Sequence, residues 1–118
     1  MPLTDDYASI TWSSSKGATN NTTPQVIITD PGVGQLSFVC EEGGFSIINL
    51  DTVNVTVTLI ETGGTPRIIE RVILSPGDKF LNSSRYVVGA GETITVELSL
   101  AVTTTQPTWH VAWYQMVN

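Results

Sequence analysis

Cationic residues are scarce: two lysines and three arginines stand against eleven acids among 118 residues, for a formal net charge of −6. Phosphate neutralisation by Lys and Arg supplies most nucleic-acid affinity, so this balance argues against nucleic acid and against an anionic membrane surface. A single cysteine, Cys40, excludes an internal disulfide framework. A single histidine, His110, is too few for the common multi-histidine zinc sites. No apolar run approaches the ~20 residues of a membrane-spanning helix. The opening Met1-Pro2-Leu3-Thr4-Asp5-Asp6 has neither the basic nor the apolar stretch of a secretory signal, which leads one to expect a protein made in the cytoplasm without a secretion signal.

Charged residues make up only 14% of the chain, well under the usual ~25%, and Ser, Thr and Asn take their place. Such a surface suits β-strands, and it suits a protein that spends its life against another protein. Helical periodicity is missing throughout, whereas alternation is plain. Val53, Val55, Val57 and Leu59 interleave with Asn54, Thr56 and Thr58, the clearest strand signal in the chain. Ile94, Val96, Leu98, Leu100 and Val102 share one face of another run. Trp109, Val111 and Trp113 share one face of the last, with His110, Ala112, Tyr114 and Met116 opposite. Glu42-Gly43-Gly44 predicts a hairpin between runs 35–40 and 45–50, and Gly63-Gly64 predicts a second between 53–59 and 67–74. Ser75-Pro76-Gly77-Asp78 and Gly89-Ala90-Gly91-Glu92 are related turns. Seven or eight strands with turns at this spacing predict an antiparallel β-sandwich over residues 35–118, with a small closed barrel as the alternative.

Residues 1–34 differ. The stretch from Thr11 to Pro24 is rich in Ser, Thr and Asn, with few apolar groups to offset the entropy of ordering it as an independent unit. It reads as an extended lead-in pinned to the domain or as an arm that lies on a neighbour. On the second reading Tyr7, Ile10 and Trp12 are the candidate partner contacts.

Chemistry finds little purchase. A Cys40–His110 dyad is arithmetically open, but Cys40 reads as a small buried hydrophobe and His110 sits on a strand between two tryptophans. Asp5-Asp6 and Glu41-Glu42 are adjacent pairs, which on a strand point to opposite faces rather than across a scissile bond. Asp30, Asp51 and Asp78 fall in turns, where side-chain to backbone hydrogen bonds are their ordinary use, and a calcium site would require them to converge. No catalytic residue, metal ligand or cofactor site is assigned, and the chain is not expected to be an enzyme. Trp109 and Trp113 lie two pleats apart, roughly 13–14 Å, a spacing that serves a sandwich core or a sugar-stacking platform.

The Val53–Leu59 strand, the Gly63-Gly64 turn, the return through Ile73-Leu74-Ser75-Pro76-Gly77-Asp78 and the Gly91-Glu92-Thr93-Ile94 turn resemble small virion proteins of tailed bacteriophages, the head-decoration or cement proteins above all. The resemblance spans residues 45–102. It implies an acidic β-sandwich that forms a homo-oligomer, a trimer for cement proteins, binds the major capsid protein or other virion proteins, and resides in the virion. A carbohydrate- or receptor-binding module of a tail fibre, with the tryptophans exposed, and a head–tail or tail-tube component are the rival expectations.

Overall fold

The structure, a computed structural model, describes residues 12–18, 24–32, 34, 36–99 and 102–117. Every regular element among them is a strand: β1 (Trp12–Ala18), β2 (Gln25–Ile28), β3 (Leu36–Cys40), β4 (Phe45–Ile48), β5 (Val55–Thr62), β6 (Arg67–Leu74), β7 (Lys79–Leu81), β8 (Tyr86–Val88), β9 (Thr93–Leu98) and β10 (Thr108–Val117). All pairings are antiparallel and form two separate sheets, so the sandwich is realised and the closed barrel is not.

Register reduces the ten strands to eight. Residues 108–111 of β10 pair with β1 on one edge and β4 on the other, while Tyr114 pairs with Trp12 and with Val39 of β3. β3 and β4 therefore lie end to end along the same edge of β10, as one interrupted strand. β8 and β7 pair with the far edges of β3 and β4 respectively, and they too form one interrupted strand. The first sheet is thus four strands wide, in the order β1, β10, β3/β4, β7/β8. The second runs β2, β9, β5, β6. Counted as eight, the orders 1-8-3-6 and 2-7-4-5 are those of a jelly roll.

The expected hairpin at Glu42-Gly43-Gly44 is therefore corrected. The chain makes a detour there and continues in its former direction, because the ten-residue β10 offers one long edge that both flanking runs can pair with. Gly43 adopts φ +78°, and a Cβ on Gly44 would meet Cys40 Sγ at 2.9 Å and Ala112 O at 3.1 Å. A facing detour at 82–85 interrupts the neighbouring strand at the same level. Asn82, 1% exposed, ties the two together. Its Nδ2 donates to Glu41 O (3.0 Å) and Ser84 O (2.8 Å), and its Oδ1 accepts from Phe45 N at 2.9 Å. Its backbone carbonyl accepts from Gly43 N, and its own N–H donates to Phe45 O. Every polar group of this buried residue is thereby satisfied.

Other sequence-based elements hold in part: the run expected to reach Val102 ends with β9 at Leu98, Leu100 lies outside the described residues, and Val102 belongs to no strand. The β5–β6 hairpin forms, with a register shift between Leu59 and Ile60. In both related turns the acid closes back on the first residue: Ser75 N donates to Asp78 Oδ2 and Gly89 N to Glu92 Oε1. The core between the sheets contains Val55, Val57, Leu59, Ile94, Val96, Leu98, Trp109 and Val111, as alternation predicts. Ile27 and Ile28 of β2 join it, so part of the 1–34 lead-in supplies core residues, and β1 pairs with β10 along its whole length.

Asn49 and Asp51 secure the end of β4. Asn49 Nδ2 donates to Val53 O and Leu74 O, and its Oδ1 accepts from Asp51 N. The buried Asp51 carboxylate accepts from the N–H groups of Thr52, Thr103 and Thr104 and from the Thr104 hydroxyl. These donors, Thr103 N–H foremost, hold its pKa far below the ordinary carboxylate range.

Two predictions follow from these knots. Asn82→Ala strands buried donors and acceptors and should cost roughly 2–4 kcal/mol in urea unfolding, and a loss under ~1 kcal/mol would contradict the clamp. For Asp51 the folded pKa lies below the unfolded one, so its stabilisation is full above about pH 4 and fades as pH falls further towards the folded value. The melting-temperature gap between wild type and Asp51→Asn should be wide at neutral pH and narrow below about pH 4. A gap that stays constant would contradict the assignment.

Candidate functional site

Pairing register lays out the outer face of the first sheet residue by residue. Trp109 and Val111 point into the core, so Thr108, His110, Ala112, Tyr114 and Met116 of β10 point outward. One row runs from edge to edge: Trp12 on β1, Tyr114 on β10, Val39 on β3 and Val87 on β8. Met116 opposite Ser37 extends it at one end. Beyond the two detours come the rows Lys16–His110–Ser46–Leu81 and Ala18–Thr108–Ile48–Lys79. Small and apolar residues dominate a sheet face that a free domain normally covers with charge.

The first row is the most apolar. Trp12 is 58% exposed, Val87 44%, Met116 42% and Leu81, two rows away, 50%. Val39 lies on the same face yet is 1% exposed, shielded in the centre of the row. The Trp12 ring meets Tyr114 edge to face with centroids 5.0 Å apart, which fixes the first aromatic by the second.

Tyr114 is held in turn. Its hydroxyl donates to Glu41 Oε2 at 2.8 Å, and Arg85 clamps the same carboxylate through Nε at 2.8 Å and Nη2 at 3.3 Å. Arg85 first, then Tyr114, keeps the Glu41 carboxyl below its usual range, and the bond to Glu41 raises the Tyr114 phenol. Both charges of the pair stand on the two detours, at residues 41 and 85. A chain of contacts Trp12–Tyr114–Glu41–Arg85 thus crosses all four strands and gives the row a fixed shape.

Of the three candidate partner contacts, Trp12 falls on this face, and Tyr7 and Ile10 lie outside the described residues. Trp12 lies on the edge strand of its own domain. Cys40 and His110 occupy opposite faces of one sheet, so no dyad forms between them. Cys40 is in the core, where burial and then the Glu41 charge push its thiol up to about 11, and His110 is exposed. The three turn aspartates do not converge: Asp30 accepts from Gly32 N and Gly91 N, Asp51 from the 103–104 loop and Asp78 from Ser75 N. No cluster of three His, Cys, Asp or Glu occurs among the described residues. Nor is there a two-tryptophan platform. Trp109 is 4% exposed with its ring over Gly17, and Trp113 faces inward against Phe38, centroids 6.0 Å apart. Val87 and Leu81 were missed as surface candidates. The alternation of β10 shows Tyr114 pointing away from Trp109, but no local signal sets it beside Trp12.

No protein-family model matches this chain, and no curated protein matches it in sequence. Solved structures are similar in fold. One, from Bacillus endospore appendages described as a family of disulfide-linked pili, is 16% identical over 92% of this chain and 90% of that one, with a TM-score of 0.49. Another, the globular domain of zebrafish complement 1qA, is 10% identical over 93% of this chain and 100% of that one, with a TM-score of 0.51. The second likeness carries the fold alone, a β-sandwich. Neither description names a catalytic activity.

Tyr114→Phe removes one of the two donors to Glu41. NMR titration should show the Glu41 pKa moving up towards the ordinary carboxylate value while Arg85 still holds it below. An unchanged Glu41 titration would mean that the phenol does not engage the carboxylate in solution.

Proposed function

We propose that this chain is a non-enzymatic structural module that works by protein–protein association, and that the outer face of the β1–β10–β3/β4–β7/β8 sheet is its contact surface. The observation that carries the reading is the Trp12–Tyr114–Val39–Val87 row, an aromatic and aliphatic band from one sheet edge to the other. Aromatic anchors held rigid by their neighbours contribute a disproportionate share of interface energy. The low charged fraction and the polar Ser13-Ser14-Ser15 edge of β1 support the same reading. An edge strand with little charge is suited to pairing with another chain.

In its finer form the proposal is a virion protein of a tailed bacteriophage, of the head-decoration kind, that forms a homo-oligomer and binds the major capsid protein. The strand-and-turn resemblance supports this form, and jelly rolls occur in capsid proteins, although they serve lectins and cupins as well. Many weak copies on a shell would give a strong net hold. The rival carbohydrate module loses its main support with the inward-facing Trp109 and Trp113.

Sedimentation velocity across a concentration series tests the association directly. The wild-type chain should shift from its 12.7 kDa monomer to a trimer as concentration rises. Trp12→Ala should weaken that step by about 30-fold, the equivalent of ~2 kcal/mol, without lowering the melting temperature by more than a few degrees. A ring of six would favour the tail-tube form. A monomer at every concentration that also fails to co-sediment with capsids would sink the proposal.

A further inference from the structure

A trough of about 690 Å³ opens on the same outer face, at the end remote from Trp12. Its floor comes from small or uncharged groups: Ala18, Thr108, Ser46 and Ile48. Its charges are all of one sign. Lys16 and Lys79 are both of the chain's lysines, His110 pairs directly across from Lys16, and no acid lines the trough. Among the described residues neither lysine has an ion-pair partner, since the recorded ion pairs are Arg67–Glu61 and Arg85–Glu41. In a chain of net charge −6, the trough thus collects both lysines with no acid among its lining residues.

The layout restricts what fits. Lys16 lies on β1 and Lys79 on β7, with β10 and β4 between them and a two-residue stagger along the strands, so their backbones are roughly 16 Å apart. One small anion meets both only if the two lysine stems fold inward over the uncharged floor. A nucleic-acid strand places a charge on every nucleotide, and the uncharged floor has nothing to pair with those between the two ends. A slim body with two separated negative groups matches both ends and the floor. In an extended polypeptide, carboxylates four residues apart are about 13 Å apart.

We infer that this trough binds an extended acidic segment of a partner protein, with two carboxylates about four residues apart reaching Lys16 and Lys79. The inference rests on the association reading for its choice of a protein ligand, and it adds a second contact that is separate from the Trp12 row. The carboxylates take the two ends, uncharged residues between them cross Ala18, Thr108 and Ser46, and Ile48 supplies apolar contact.

The test uses the full chain and two labelled peptides, acetyl-Thr-Asp-Thr-Gly-Thr-Asp-Thr-amide and its Asn-for-Asp counterpart, by fluorescence anisotropy at low and physiological salt. The Asp peptide should bind at least tenfold more tightly than the Asn peptide, and its affinity should fall as salt rises. Lys16→Glu and Lys79→Glu should each reduce binding tenfold or more with the melting temperature unchanged. The same two variants should leave self-association in sedimentation intact, which separates failure of this inference from failure of the association reading. Equal binding of the two peptides, no binding of either at millimolar concentration, or binding that both lysine variants retain overturns the inference. Tight binding of short single-stranded DNA with the same lysine dependence would also overturn it.

Discussion

One buried asparagine fastens the two interruptions of the first sheet to each other. Two of its four strands are interrupted at the same level, and an interruption exposes backbone groups that the core side cannot solvate. Asn82 takes them up. Its side chain bonds to Glu41, Phe45 and Ser84, while its backbone bonds to Gly43 and Phe45. The detours are therefore fastened to each other as well as spanned by β10. With them fastened, β3 and β4 stay collinear, and so do β7 and β8. Collinearity then brings Val39 and Val87 into the row with Tyr114 and Trp12, and Ser46 and Ile48 onto the floor of the trough. The same detours carry Glu41 and Arg85, so the lock on Tyr114 depends on the clamp too.

The detours also divide the outer face by chemistry. On one side lies an aromatic and aliphatic band, braced by an ion pair and edge-to-face rings. On the other lies a trough whose two lysines have no ion-pair partner among the described residues. Apolar contact and electrostatic selection act differently: the first holds a partner after docking, and the second guides and discriminates during approach. On the proposed reading, a module with both on one sheet face adheres firmly and still chooses its partner. The lone thiol lies in the core, on the other side of this sheet from the lone histidine, so the two do not meet.

Much of this was legible in the residues, for identifiable reasons. Period-two alternation set Val57 and Val96 on the apolar faces of their strands, because a strand offers only two faces and one must be dry, whereas the same alternation left Trp109 open between core and sugar platform. Pro76-Gly77 and Gly91 marked turns, because few residues adopt those dihedrals. Glu42-Gly43-Gly44 misled because a tight turn and a detour ask the same thing of a glycine; what distinguishes them is the length of a strand sixty residues away in sequence. Asn82-Ser83-Ser84 carries the pattern of a glycosylation site and of a polar loop, and nothing local reveals that Asn82 is buried. Val39 lies on the outer face yet is buried, between Tyr114 of β10 and Val87 of β8, neighbours that the linear order does not reveal. The candidate site was the least legible part for the same reason. Trp12 stood out as an isolated aromatic in a polar stretch, whereas its row is a product of register and has no counterpart in the linear order.

The central claim is that the Trp12 row is a surface built to be covered. Hydrogen–deuterium exchange on the intact chain at two widely separated concentrations tests it most directly, because association protects the amides of the face that is covered. The account predicts that protection rises with concentration in β1, in residues 112–117 of β10 and in β8, while β6 on the far sheet is unchanged. Protection that rises in β6 and β2 instead, with β1 unaffected, would contradict the claim.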